Sequence, residues 1–83
     1  MPPDKTRQDP ITGVVENNIR KLRFEADEMT QQELADLIGA TRQTIHAIEA
    51  SKYAPSLELA FKVAAAFDRP IQEVFSYTRH DKH

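Results

Sequence analysis

Thr30-Gln31-Gln32-Glu33-Leu34-Ala35-Asp36-Leu37-Ile38-Gly39-Ala40-Thr41-Arg42-Gln43-Thr44-Ile45-His46-Ala47-Ile48-Glu49-Ala50-Ser51-Lys52-Tyr53 decides the fold. It reads as two short amphipathic helices joined by a tight turn. Thr30 with Glu33 three residues on forms a capping box, in which each residue satisfies a backbone N–H near the other. Leu34, Ala35, Leu37 and Ile38 fall on one side of the first helix, and Gln32, Glu33 and Asp36 on the other. Gly39 suits the left-handed residue that ends a helix. Thr41 follows almost at once as a second N-cap. A new helix starting this soon must cross the first at a steep angle.

In the second helix Ile45 and Ile48 mark the buried side. Arg42, Gln43, His46, Ala47 and Ala50 lie away from them. A guanidinium, an amide, an imidazole and small residues on one outer face suit the major groove of DNA. Arg can fork onto guanine O6 and N7, Gln onto adenine N6 and N7, and alanine permits close approach. The plainer reading is a solvated helix face. The conjunction of capped helix, glycine turn and second capped helix favours the reading face.

Thr30-Gln31-Gln32-Glu33-Leu34-Ala35, Gly39, Thr41-Arg42-Gln43-Thr44-Ile45, Ile48-Glu49 and Lys52-Tyr53-Ala54-Pro55-Ser56-Leu57 together resemble the phage repressor and Cro helix-turn-helix family, in particular its short prokaryotic transcriptional regulators. The resemblance spans about residues 17–75. It implies an all-α, five-helix, lambda-repressor-like domain with the motif in helices two and three. It places Arg42, Gln43, His46 and Ala47 at base-contacting positions, and Gln31 at a phosphate-contacting one. Thr41, Thr44, Lys52 and Tyr53 are expected to join Gln31 on phosphates, the alternative for Tyr53 being that its ring simply packs over the loop. The chain departs from the family pattern at Ala50-Ser51, where Asn-Gly is usual, and at Asp68, where Gly is usual.

Eighty-three residues make one small domain. The chain has no cysteine, hence no disulfide framework, which suits a cytoplasmic protein. No apolar run approaches the ~20 residues of a membrane span, and the polar, proline-rich start excludes a secretory signal. Eleven Lys and Arg against thirteen Asp and Glu give a formal net charge of −2. A generic nucleic-acid coater is basic; a specific reader needs only a local positive surface, for which Arg20, Lys21, Arg23, Arg42 and Lys52 are the candidates.

Residues 1–14 read as a flexible arm, 15–76 as the DNA-binding domain and 77–83 as a tail. Lys5 and Arg7 could serve a minor-groove arm, although Asp4 and Asp9 dilute it. The first helix is expected from Val15 to Glu25, since Val15, Ile19 and Leu22 recur at helical spacing, with Phe24 in the core. Asn17 or Asn18 is expected as a cap or a phosphate contact. Pro55 closes the loop after the recognition helix. Ser56 caps a fourth helix whose buried face holds Leu57, Ala60, Val63, Ala64 and Phe67, with Phe61 at its edge. Pro70 opens a short fifth helix. Ile71, Val74 and Phe75 exceed what that helix can bury alone and predict a homodimer seam with Phe61 and Tyr77; the alternative is that they complete the core of one chain. Ser76-Tyr77-Thr78 has a second reading as a strand crossing a two-fold axis.

His80-Asp81-x-His83 has metal-binding residue types on a terminus too poorly preorganised to favour a site, so no metal and no cofactor is expected. No nucleophile or acid–base pair faces a concave site, so no enzyme is expected. The expected partners are double-stranded DNA and a second copy of the chain. The competing reading is a protein-interaction module, of the kind antitoxins use to hold a partner.

Overall fold

A computed structural model describes residues 10–81. Lys5, Arg7 and His83 lie outside the described residues. The elements run β1 (Gly13–Asn17), α1 (Ile19–Glu25), α2 (Gln31–Ile38), α3 (Arg42–Glu49), α4 (Leu57–Ala66), α5 (Ile71–Val74) and β2 (Phe75–Arg79). The five helices appear as expected. The domain is not purely α-helical, because β1 and β2 form a two-stranded antiparallel sheet.

The helix boundaries follow from local chemistry. The Thr30 hydroxyl accepts from the Glu33 N–H at 3.0 Å, and the Glu33 carboxylate accepts from the Thr30 N–H at 2.8 Å. Gly39 ends α2 at φ 71°, the left-handed conformation that a Cβ disfavours. Thr41 caps α3 and Ser56 caps α4, each through the backbone N–H three residues on. Ser51 and Asp68, the two departures from the family's glycines, both adopt positive φ, at 58° and 54°. Non-glycine residues there cost ~1 kcal/mol, less for Asp than for most.

The core gathers Ile19 and Leu22 of α1, Leu34, Ala35 and Ile38 of α2, Ile45 and Ile48 of α3, Val63 and Ala64 of α4, and Val74 of α5. Phe24 was expected there and is 70% exposed. Leu37 and Leu57, also placed on buried faces by their spacing, are exposed as well. Val74, expected at a dimer seam, is 0% exposed and belongs to the core of the single chain. Ile71 and Phe75 are half-buried against that core.

The sheet replaces the expected start of the first helix. Val15 pairs with Tyr77, Gly13 with Arg79 and Asn17 with Phe75. Helix α1 therefore begins at Ile19, not Val15. Gly13 and Val14, assigned to the arm, are strand residues, as are Tyr77 to Arg79 of the expected tail. Ser76-Tyr77-Thr78 does form a strand, paired within its own chain. Gly13 is required where it stands. A Cβ there would lie 2.3 Å from the Thr78 carbonyl oxygen and 2.9 Å from the Tyr77 ring.

Beyond Arg79 the sheet is clasped by Asp81, whose carboxylate accepts from the Arg79 guanidinium and, at 3.4 Å, from the Thr12 N–H. Hydrogen bonding to Arg79 holds the Asp81 carboxyl well below the usual carboxylate range. Among the described residues no cluster of His, Asp or Glu could hold a metal ion, and no helix is long and apolar enough to cross a membrane.

Candidate nucleic-acid interface

Helix α3 is held from behind and open in front. Ile45 and Ile48 are buried, whereas Arg42, Gln43 and His46 are exposed and Ala47 is half-buried beside them. These four residues present a continuous polar strip with a shallow centre, the shape a base-reading helix needs. One eight-residue helix thus has a packed edge and a separate exposed polar strip.

The five residues assigned to phosphates flank that strip. Thr41 and Thr44 hydroxyls lie 3.0 Å apart, and Thr41 Oγ1 also accepts the Thr44 N–H at 3.1 Å. One hydroxyl hydrogen is used between them, which leaves the other to donate outward. Lys52 and Tyr53 are exposed in the loop that follows α3. Gln31 opens α2 and lines, with Arg20, His46 and Ala50, a shallow groove between α1, α2 and α3. The groove therefore brings an expected phosphate residue, Gln31, beside an expected base reader, His46.

The largest correction concerns Arg23. It was counted among the cations of the outer surface, yet its guanidinium is turned inward onto Glu49. Nε donates to Glu49 Oε2 at 2.6 Å and Nη2 to Oε1 at 3.0 Å, while Nη1 donates to the Met29 carbonyl at 2.7 Å. The two side chains are only 16% and 10% exposed. Gln31 Nε2 donates to the same Glu49 at 3.3 Å. One carboxylate on α3 thus joins α1 and the first residue of α2, while Arg23 itself reaches on to the turn before α2. Arg20, Lys21, Arg42 and Lys52 remain as exposed cations of this region.

Asn17 has a positioning role that its sequence context did not reveal. Its Nδ2 donates to the Ile48 carbonyl at 2.8 Å, near the end of α3, and its Oδ1 accepts from the Ile19 N–H at 3.1 Å. The same amide satisfies the first N–H of α1 and braces the end of α3. The expected cap was half of this; the contact with α3 depends on β1, which was not foreseen. Asn18 donates through its side chain to the Glu73 carbonyl at 3.1 Å.

A helix-turn-helix family model matches residues 19–74, most of the chain, and the chain belongs to that family, of the Cro/C1 type. The family is non-enzymatic. The chain is similar to an HTH-type transcriptional regulator of Methanocaldococcus jannaschii, 53% identical over 49 residues, which are 59% of this chain and 74% of the relative. A regulator of the same description from Archaeoglobus fulgidus is 43% identical over 53 residues, 64% of this chain and 75% of that one. One from Bacillus subtilis is 39% identical over 61 residues, covering 74% of this chain and 91% of its own length.

Proposed function

We propose that the chain is a sequence-specific DNA-binding transcriptional regulator of the cytoplasm that lays α3 in the major groove and acts as a homodimer on an inverted repeat. The observation that carries this reading is the division of α3 into a buried isoleucine edge and an exposed Arg42, Gln43 and His46 strip. Arg42 and Gln43 make the bidentate base contacts, His46 and Ala47 the secondary ones. Gln31, Thr41, Thr44, Lys52 and Tyr53 hold the backbone and set register without reading sequence. One such helix covers too few base pairs to find a site in a genome, so two copies act together. Their recognition helices then lie ~34 Å apart, one turn of B-DNA.

The net charge of −2 fits a reader with weak non-specific binding, because charge neutralisation at phosphates governs the sequence-independent part of affinity. In vitro selection of bound DNA by the purified chain tests the proposal. The expected product is a palindromic consensus with half-sites one helical turn apart. Enrichment of no sequence would overturn it and favour a protein-interaction module, the reading supported by the exposed apolar residues of α4.

A further inference from the structure

Helix α4 has more apolar surface than the core uses. Ala60, Val63 and Ala64 are buried, and Leu59 and Ala66 lean on the core. Beside that face, Leu57 (70% exposed), Phe61 (54% exposed) and the exposed Ala65 follow one another at i, i+4 and i+8. They form a stripe along the outside of the helix where a solvated face carries polar residues. Glu58 and Lys62 run along one flank of the stripe, both exposed, 3.4 Å apart as an i, i+4 pair. Helix α5, by contrast, has little left for a seam, since Val74 is buried and Ile71 and Phe75 pack against the core.

We infer that the Leu57–Phe61–Ala65 stripe is the surface on which a second copy of this chain packs, with the two α4 helices antiparallel about a two-fold axis. The inference rests on the dimeric reading above and assigns its seam. Charge selects a second copy as the occupant. A two-fold axis between antiparallel helices keeps each helix's Glu58–Lys62 flank on the same side of the pair. Leu57 of one protomer then meets Phe61 of the other, and Glu58 of each comes beside Lys62 of its mate. The pattern is complementary to itself. Because α4 follows α3 through a single short loop, a seam here also fixes the separation of the two recognition helices.

Sedimentation equilibrium of the full chain without DNA tests the seam. The wild type is expected to dimerise at micromolar concentration. Phe61→Glu sets two like charges against each other in an apolar seam, and should raise the dimer dissociation constant roughly a hundredfold or more while circular dichroism shows the helices intact. Glu58→Lys and Lys62→Glu should each weaken association, and the double exchange should restore it. Restoration separates pairing between copies from damage to one chain. Should Phe61→Glu fail to fold, the charge exchange alone decides. A wild type that stays monomeric, a folded Phe61→Glu that still dimerises, or a double exchange that restores nothing would each overturn the inference. Selection of DNA is read independently of all these. A monomer that selects a sequence loses the seam and the dimer but keeps the DNA reading, and a dimer that selects none loses only the DNA reading.

Discussion

Arg23 of α1 grips Glu49 of α3 with two nitrogens, at 2.6 and 3.0 Å, in a site that excludes most water. The pair ties α3 to α1 along the edge of the groove that His46 and Gln31 also line. Removing one partner leaves the other charge buried and unmatched, so Arg23→Met or Glu49→Leu is expected to cost ~3–5 kcal/mol. The double substitution should recover much of that loss, because two apolar groups need no partner. Urea denaturation of the three variants measures both terms. Single variants as stable as the wild type would show that the pair is solvated in solution.

Reading and positioning residues should separate in their response to sequence. Arg42→Ala is expected to cost ~1–3 kcal/mol on the selected site and to relax preference at one base pair. Lys52→Ala should weaken all sequences alike and reduce the salt dependence by about one counterion, because a phosphate is present at every step. Binding titrations on the consensus and on a scrambled duplex, over a range of salt, distinguish the two. Wild-type affinity and preference in Arg42→Ala would mean that α3 reads with other residues.

Ile45 and Ile48 are both almost fully buried under α3. Truncating either to Ala removes apolar surface and leaves a cavity, at a cost of ~2–5 kcal/mol. In a domain of this size that approaches the whole stability, ~5–15 kcal/mol for folded proteins in general. Thermal melts should therefore show a drop of many degrees in both variants. Melting within a few degrees of the wild type would move the buried edge of α3 elsewhere.

Gly13 should tolerate no side chain. The added carbon of Gly13→Ala would meet the Thr78 carbonyl oxygen, which belongs to backbone and cannot turn aside as a flexible side chain can. The expected result is loosened pairing of β1 with β2, with the helices retained. Amide exchange should quicken across residues 13–17 and 75–79 and leave α2 and α3 protected. Unchanged protection of both strands would mean that the sheet shifts to make room.

What the sequence made legible was what its neighbours decide. Thr30, Gly39, Thr41, Ser56 and Pro70 set helix ends through contacts within a few residues, and each stands at or beside the expected boundary. The buried rhythm of Leu34, Ile38, Ile45, Ile48, Ala60 and Val63 is likewise a property of single helices. The sheet escaped because each strand finds its partner at the other end of the chain. Val15 also happens to stand at helical spacing from Ile19 and Leu22, although Gly13-Val14-Val15 and Phe75-Ser76-Tyr77-Thr78 carry the β-branched and aromatic residues that strands favour. Leu37 and Leu57 misled for a different reason: spacing shows that a residue is apolar on a given side, not that anything covers that side. On α3, the exposure of Arg42, Gln43 and His46 was visible in their residue types. The inward turn of Arg23 was not, because its partner, Glu49, is distant in sequence.

The pairing of Gly13 with Arg79 has a consequence for how this protein is made. Strand β1 leaves the ribosome first and β2 last among the described elements. At ~5–20 residues per second, β1 spends on the order of seconds without its partner. Through that interval Val14 and Val15 present an open strand edge, the kind of surface on which unfinished chains stick to one another. The N–H of Asn18 waits equally long for its acceptor, the Val74 carbonyl. Asn17, which braces the end of α3 through the Ile48 carbonyl, is seated by the same strand. A nascent chain that has already wound α3 therefore lacks the brace that steadies it, and birth order delays a finished α3 surface until synthesis of the described chain is all but over.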